Sequence, residues 1–229
     1  MKTIAALLLA SAANAAPVPA EIRAEYEVTS AGVRVGRVTD TFTRKGDTYT
    51  LSSVTRSEGP LKLFLDDQVT LESAGRIVAG NLQPSQFGQR RLKDPSRDVS
   101  ATFDWERGVI HSSYKGERKE IPLPRATQDR ISLLYQLMSV KPGNGNMTIP
   151  MSNGRRVEVY TYRVVENVRI ATPAGEFDTL HLERVNASPK ENRAEVWLAK
   201  ERFNFPVRVV FDDPKGLRLE QNLVALEAR

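Results

Sequence analysis

Residues 22–29 read Ile22-Arg23-Ala24-Glu25-Tyr26-Glu27-Val28-Thr29. Ile22, Ala24, Tyr26 and Val28 alternate with Arg23, Glu25, Glu27 and Thr29, a two-residue period that turns one set of side chains to a covered face and the other to water. The same pattern continues outward from this strand. Gly32 turns the chain into Val33, Val35, Val38 and Phe42, and Lys45-Gly46-Asp47 turns it into Tyr49, Leu51 and Ser53. Connections this short join antiparallel neighbours into a meander. Further strands are expected around Leu63–Val69 and Arg76–Leu82, with a turn at Ser73-Ala74-Gly75, and a hairpin over Val99–Tyr114. Farther on, Asn153-Gly154 and Thr172-Pro173-Ala174-Gly175 carry turn chemistry. They separate apolar stretches at Val157–Val165, Phe177–Leu182, Ala194–Leu198, Val207–Phe211 and Leu217–Val224.

One segment changes the period. Ile131, Leu134, Tyr135 and Met138 recur at i, i+3, i+4 and i+7, the spacing of an amphipathic helix. Thr127 can cap its first turn, Gln128 and Asp129 suit its positive end, and Lys141-Pro142-Gly143 stops it. A helix from Gln128 to Ser139, about 12 residues, is too short to stand alone and must pack on a sheet. The expected fold is mainly β: a strongly curved antiparallel sheet or sheets, open or half-barrel-like, with this one short amphipathic helix on its concave side. Tyr26, Phe42, Phe64, Leu134, Tyr135, Met138, Trp197 and Phe211 are the side chains placed to line an interior cavity, with Asp129 at its mouth. Trp197 shares a face with Glu195 while Val196 and Leu198 share the other, which implies cover on both sides of that strand.

At the amino end, Lys2, the apolar run Ile4–Ala10 and the small residues Ala13-Asn14-Ala15 follow the order of a secretory signal peptide. The run is much shorter than the roughly 20 residues that span hydrocarbon. The organisation expected is a signal peptide over 1–15, cleaved near Ala15, followed by a single β-rich domain over 16–229, exported in soluble form to the periplasm. The chain has no cysteine, which removes disulfides, thiolate nucleophiles and thiolate metal ligands. A chain of this size can bury a core without such staples. The net charge of +5 suits solubility, and an exported protein is a poor partner for nucleic acid.

Signatures of catalysis are absent from the sequence. His111 and His181 are the two histidines. Neither sits in H-E-x-x-H or in any other metal-ligand spacing, and no G-x-S-x-G or phosphate-cradling glycine loop occurs. Asp66-Asp67 and Asp212-Asp213 put consecutive side chains on opposite faces of a strand, so neither doublet is a ready carboxylate pair. The reading is of a non-catalytic protein without cofactor or metal.

Three stretches then resemble a known family, the domain of unknown function numbered 3108 of exported proteins from Gram-negative bacteria. They are Gln128-Asp129-Arg130-Ile131-Ser132 at the helix start, Thr172-Pro173-Ala174-Gly175-Glu176-Phe177-Asp178-Thr179, and Glu195-Val196-Trp197-Leu198-Ala199 followed by Phe205-Pro206-Val207-Arg208, with Gly216 and an apolar strand completing the order. Ala199 and Lys200 stand where relatives usually read serine or alanine and then proline. The resemblance implies export and a mostly β fold like the open sheets of periplasmic lipoprotein carriers; it brings no catalytic residues. The function expected is a carrier or binding protein for an apolar or lipid-like envelope molecule, acting as a monomer. The alternative is an envelope assembly module whose partner is another envelope protein.

Overall fold

The computed structural model describes residues 18–59, 68–141, 143, 145–185, 188 and 191–229. The expected signal peptide over 1–15, Phe64 and Asp66-Asp67 lie outside the described residues. The strands are β1 (Glu21–Ser30), β2 (Val33–Lys45), β3 (Thr48–Ser57), β4 (Gln68–Val78), β5 (Asn81–Arg91), β6 (Val99–Asp104), β7 (Val109–Tyr114), β8 (Glu117–Pro122), β9 (Gln128–Asp129), β10 (Asn146–Ser152), β11 (Val157–Thr172), β12 (Gly175–Val185), β13 (Arg193–Ala199), β14 (Phe205–Asp212) and β15 (Arg218–Ala228). Helix α1 covers Ser132–Gln136 and runs into a 3₁₀ turn at Leu137–Ser139.

All of these strands belong to one sheet, in the order β8-β7-β6-β5-β4-β3-β2-β1-β15-β14-β13-β12-β11-β10-β9. Neighbours in space are neighbours in sequence except at one place. The terminal strands β1 and β15 pair with each other, Ile22 opposite Ala228, and Glu21 and Arg229 exchange amide-to-carbonyl bonds of 3.0 and 2.9 Å. β8 and β9, consecutive in sequence, are the two unpaired edges. Backbone pairing therefore stops at both ends, and the sheet is neither closed nor strongly curled. This corrects the expected strongly curved, half-barrel-like sheet, while the mainly β content with one short helix stands. Side chains connect the two ends instead. Ser112 Oγ on β7 donates to the Gly154 carbonyl at 2.5 Å, between β10 and β11. Gly154 has φ +80°, and a Cβ there would come within 2.5 Å of Val99 Cγ1, so this crossing requires glycine.

Two other expectations change. Ser73-Ala74-Gly75 is not a turn but the middle of β4, where the register shifts between Ala74 and Gly75. A Cβ on Gly75 would lie 2.2 Å from the Gln83 carbonyl oxygen, the close approach that a bulge demands. The turn is displaced to Ala79-Gly80, with φ +49° and +78°, the two left-handed residues of a tight hairpin. The helix is also shorter than its periodicity implies. Gln128-Asp129 pairs in parallel with Met151-Ser152 of β10, so the first residues of the expected helix are strand.

That segment is held by its polar side chains. Asp129, fully buried, accepts from the amides of Ile131 at 3.0 Å and Ser132 at 2.8 Å through Oδ1. Its Oδ2 accepts from Ser73 Oγ on β4 at 2.5 Å, and its own amide donates to Ser132 Oγ at 2.9 Å. This reciprocal arrangement is a capping box compressed around Asp129 rather than Thr127. At the other end, Asn204 Nδ2 donates to the carbonyls of Met138 and Val140 at 3.3 and 2.9 Å. Between these anchors the helix buries more than one face: Tyr135 and Met138 join the large core to which β1–β7 and β12–β15 contribute, whereas Leu133 and Leu137 join a second cluster with Leu180, Leu182, Val196 and Leu198. It is the wedge between two apolar clusters.

Removing the Asp129 carboxylate strands two buried amides and the Ser73 hydroxyl, each costing on the order of 1–3 kcal/mol, with relief of the buried charge as a partial offset. Asp129→Ala should lower the unfolding free energy by about 2–4 kcal/mol at pH 7 in urea titration. Arg130→Ala, which loses an exposed bond to Gln89, should change it by less than about 0.5 kcal/mol.

Candidate functional site

The β4–β5 hairpin tip and the helix form the two walls of a cleft. Gln128 Nε2 donates to the Leu82 carbonyl at 2.8 Å, and the Leu82 amide donates to Gln136 Oε1 at 2.7 Å. Gln136 Nε2 also reaches Asn81 Oδ1 at 2.8 Å. Two glutamine side chains thus take the place of a neighbouring strand on Leu82 and fix the tip against α1. The cleft between them encloses about 190 Å³ and is lined by Phe42, Ile77, Leu82, Tyr135 and Met138, with Val18, Arg44, Gln136 and Ser139 around the opening. Its floor is a stack: Tyr135 lies on Phe42 at 5.4 Å between centroids, and Phe42 lies on Tyr49 at 6.4 Å. A wider depression of about 500 Å³ over β2–β6 mixes hydroxyl, amide and carboxylate side chains such as Thr41, Thr50, Glu72 and Gln86 with Leu51 and Phe87.

Three of the side chains expected to line a cavity therefore meet: Phe42, Tyr135 and Met138. Tyr26 sits in the core behind them, stacked on Phe205 at 6.5 Å, with its hydroxyl donating to the Pro206 carbonyl at 2.9 Å. Leu134 bridges the two apolar clusters outside the cleft, Phe211 is half-buried between Ala194 and Leu219, and Asp129 anchors the helix instead of lining a mouth. Trp197 is on the opposite face of β13, stacked on His181 at 4.2 Å and 8° and overlaid by the Arg208 guanidinium at 5.7 Å. Ile77, Leu82, Arg44 and Gln136 were not legible as cleft residues, because the hairpin register that brings them there depends on the Gly75 bulge. Gly80, the second left-handed position of the tip, was the available signal.

A polar position lies beside this floor. On the inward face of β2, Asp40 is two residues from Phe42, is flanked across the sheet by Ala24 and Ser53, and is buried. Burial pushes its carboxyl up to about 6, against a bond from Ser53 that pulls it down. Asp40 Oδ1 and the Tyr135 hydroxyl are buried without a hydrogen-bond partner among the described residues. Burial, and then the Asp40 charge, holds the Tyr135 hydroxyl well above the ordinary tyrosine range. Asp129 is also pushed up to about 6 by burial, with the Ser132 amide the largest opposing influence. Chemically, the cleft can hold an apolar group on aromatic and aliphatic surface and present a guanidinium at its opening. Among the described residues no helix is long and apolar enough to cross a membrane.

A family model described as protein of unknown function, DUF3108, matches residues 25–222, which takes in the cleft walls and both helix anchors. No curated protein matches the chain. Among solved structures, the crystal structure of a beta-barrel-like protein of the domain of unknown function DUF1849 from Brucella abortus is similar, with a TM-score of 0.59 and 14% identity over 93% of this chain and 99% of that one. At that identity the likeness is one of fold.

Asp40 and Asp129 both hold protons more tightly folded than unfolded, where an aspartate titrates near 4. The stability this confers is complete below the unfolded value and is lost as pH rises through about 6. Between pH 7 and pH 5, unfolding free energy should rise by about 1 kcal/mol for each carboxyl. Urea titrations at the two pH values check this, and Asp40→Asn should cut the difference by about half. Equal or lower wild-type stability at pH 5 would contradict the assignment.

Proposed function

The chain belongs to the DUF3108 family, and on that footing we propose that it is an exported, non-catalytic binding protein of the cell envelope whose cleft takes the apolar end of a lipid-like molecule. The observation that carries this reading is the apolar cleft between α1 and the β4–β5 tip, walled by Phe42, Ile77, Leu82, Tyr135 and Met138. Size limits the ligand. An apolar cavity of roughly 150 Å³ holds one benzene ring, and whole drug-sized ligands need roughly 300–1,000 Å³. At about 190 Å³ the cleft suits the end of an acyl chain or a single ring, with the rest of the molecule outside. Arg44 at the opening suits an anionic head.

Export rests on Lys2, the Ile4–Ala10 run and Ala13-Asn14-Ala15, with one domain from residue 16 onward and the family match over 25–222 within it. Intact-mass measurement on the envelope fraction should return a chain starting at Ala16 or one residue later. A full-length cytoplasmic product would exclude export. For the cleft, calorimetric titration with octanoate should give one saturable site. Ile77→Trp should fill it and weaken binding by at least about tenfold with an unchanged unfolding midpoint, since a half-buried wall position at a hairpin tip tolerates the larger ring. Arg44→Ala should weaken octanoate but not octanol. Octanoate binding that Ile77→Trp leaves untouched rules the cleft out.

A further inference from the structure

We propose that His181, Glu183 and Glu195 form a binding site for a divalent transition-metal ion, with zinc the best chemical match. The site is on the face of the sheet opposite the helix. Leu180, Leu182, Val196 and Leu198 point into the apolar cluster beneath α1, so the alternate residues His181, Glu183, Glu195 and Trp197 share the other face. Register assembles them: on β12 and β13, His181 is directly opposite Trp197, and Glu183 directly opposite Glu195.

One donor atom from each of the three lies within 4.8 Å of the others. A tetrahedral ion with bonds of about 2.0–2.2 Å to nitrogen and oxygen sets its donors roughly 3.4 Å apart, so small rotamer changes in the two glutamates close the site. The two glutamates face different nitrogens of the imidazole, so one of them must turn toward the nitrogen that takes the ion, while the imidazole itself stays in place. It is 9% exposed and lies flat on the Trp197 indole, with Nε2 2.8 Å from Glu195 Oε2 and Nδ1 3.7 Å from Glu183 Oε1. An imidazole with two carboxylates is a donor set that zinc and its neighbours accept.

The charges favour the same occupant. Two carboxylates directly opposite across an antiparallel pair repel. Glu183 has a cation in Arg163, which bonds it and holds its carboxyl below the ordinary range. Glu195 has the imidazole alone among the described residues. A divalent ion between the two glutamates supplies the missing positive charge, and Arg163, on the other oxygen of Glu183, orients that ligand in the manner of groups that support metal sites. Both glutamate side chains are about a third exposed, 32% and 29%, so the remaining coordination positions open to solvent. Sequence spacing hides this site because one of its three ligands comes from the neighbouring strand.

Trp197 is a built-in reporter, since the protein has two tryptophans and Trp105→Phe leaves the indole on His181 as the sole one. In that background, chelator-treated protein titrated with Ni²⁺ should lose indole fluorescence saturably at one equivalent, and Zn²⁺ should compete. Calorimetry of Zn²⁺ with the wild-type chain gives the same stoichiometry without the Trp105 change. Glu195→Gln, nearly isosteric, should weaken both by at least about tenfold with an unchanged unfolding midpoint. His111→Ala, which removes the histidine beside Glu120, should leave both intact. The proposal is overturned by the absence of saturable zinc binding in calorimetry, by binding that Glu195→Gln does not weaken, or by binding that disappears with His111→Ala.

Discussion

A carboxylate with no access to water organises the centre of this molecule. Burying Asp129 as an anion is costly unless its lone pairs are filled, and here the amides of Ile131 and Ser132 and the hydroxyl of Ser73 fill them. The first two start the helix and the third ties it to β4. Gln128, one residue earlier, holds the Leu82 carbonyl, and Gln136, at the end of the helix, holds the Leu82 amide. A stretch of nine residues therefore fixes the helix, its distance from β4 and the position of the β4–β5 tip together. The cleft is what this arrangement leaves between helix and tip, so its dimensions follow from hydrogen bonds made by Asp129, Gln128 and Gln136, of which only Gln136 borders it.

Three parts of the chain that carry the DUF3108 resemblance converge on this feature or its support. Gln128-Asp129 pairs with β10 and anchors the start of the helix. The turn ahead of Phe205 places Asn204, with φ +55°, on the helix's last carbonyls, and Phe205 itself packs edge-on against Tyr135 at 6.0 Å. The Thr172–Gly175 turn folds onto β15 through a bond from the Ala174 amide to the Leu223 carbonyl. On this view the pattern records the parts needed to hold a wedge between two apolar clusters, which is a structural requirement before it is a functional one.

How much of this was legible depends on the range of the determining interaction. Alternation and turn chemistry are local, and β1–β3, the Asn153-Gly154 turn and the β11–β12 turn could be read from neighbouring residues. The helix was misjudged at its start because Gln128-Asp129 has a partner in β10, a contact 23 residues away in sequence at Met151↔Gln128, and such pairing overrides an i, i+3, i+4 pattern. The strong curvature was misjudged for a related reason: strand periodicity says which face is covered but not how far the sheet bends. Of the side chains expected in a cavity, Phe42, Tyr135 and Met138 border the cleft, whereas Leu134 and Trp197 are equally apolar but lie elsewhere. Direction on a short helix and across a bulged strand is set by packing.

The pairing of β1 with β15 has a consequence for the order in which the fold can form. The first strand made is central in the sheet and lacks one of its two neighbours until the last eleven residues of β15 have been made. A chain in that condition cannot complete its core until β15 has been made. Once the ends have met, the polypeptide is a ring in all but one bond. Joining Arg229 to Glu21 through a short linker and opening the chain between β8 and β9, where no backbone ladder is crossed, would yield a circular permutant with every strand pairing retained and the two edges of the sheet as its new termini.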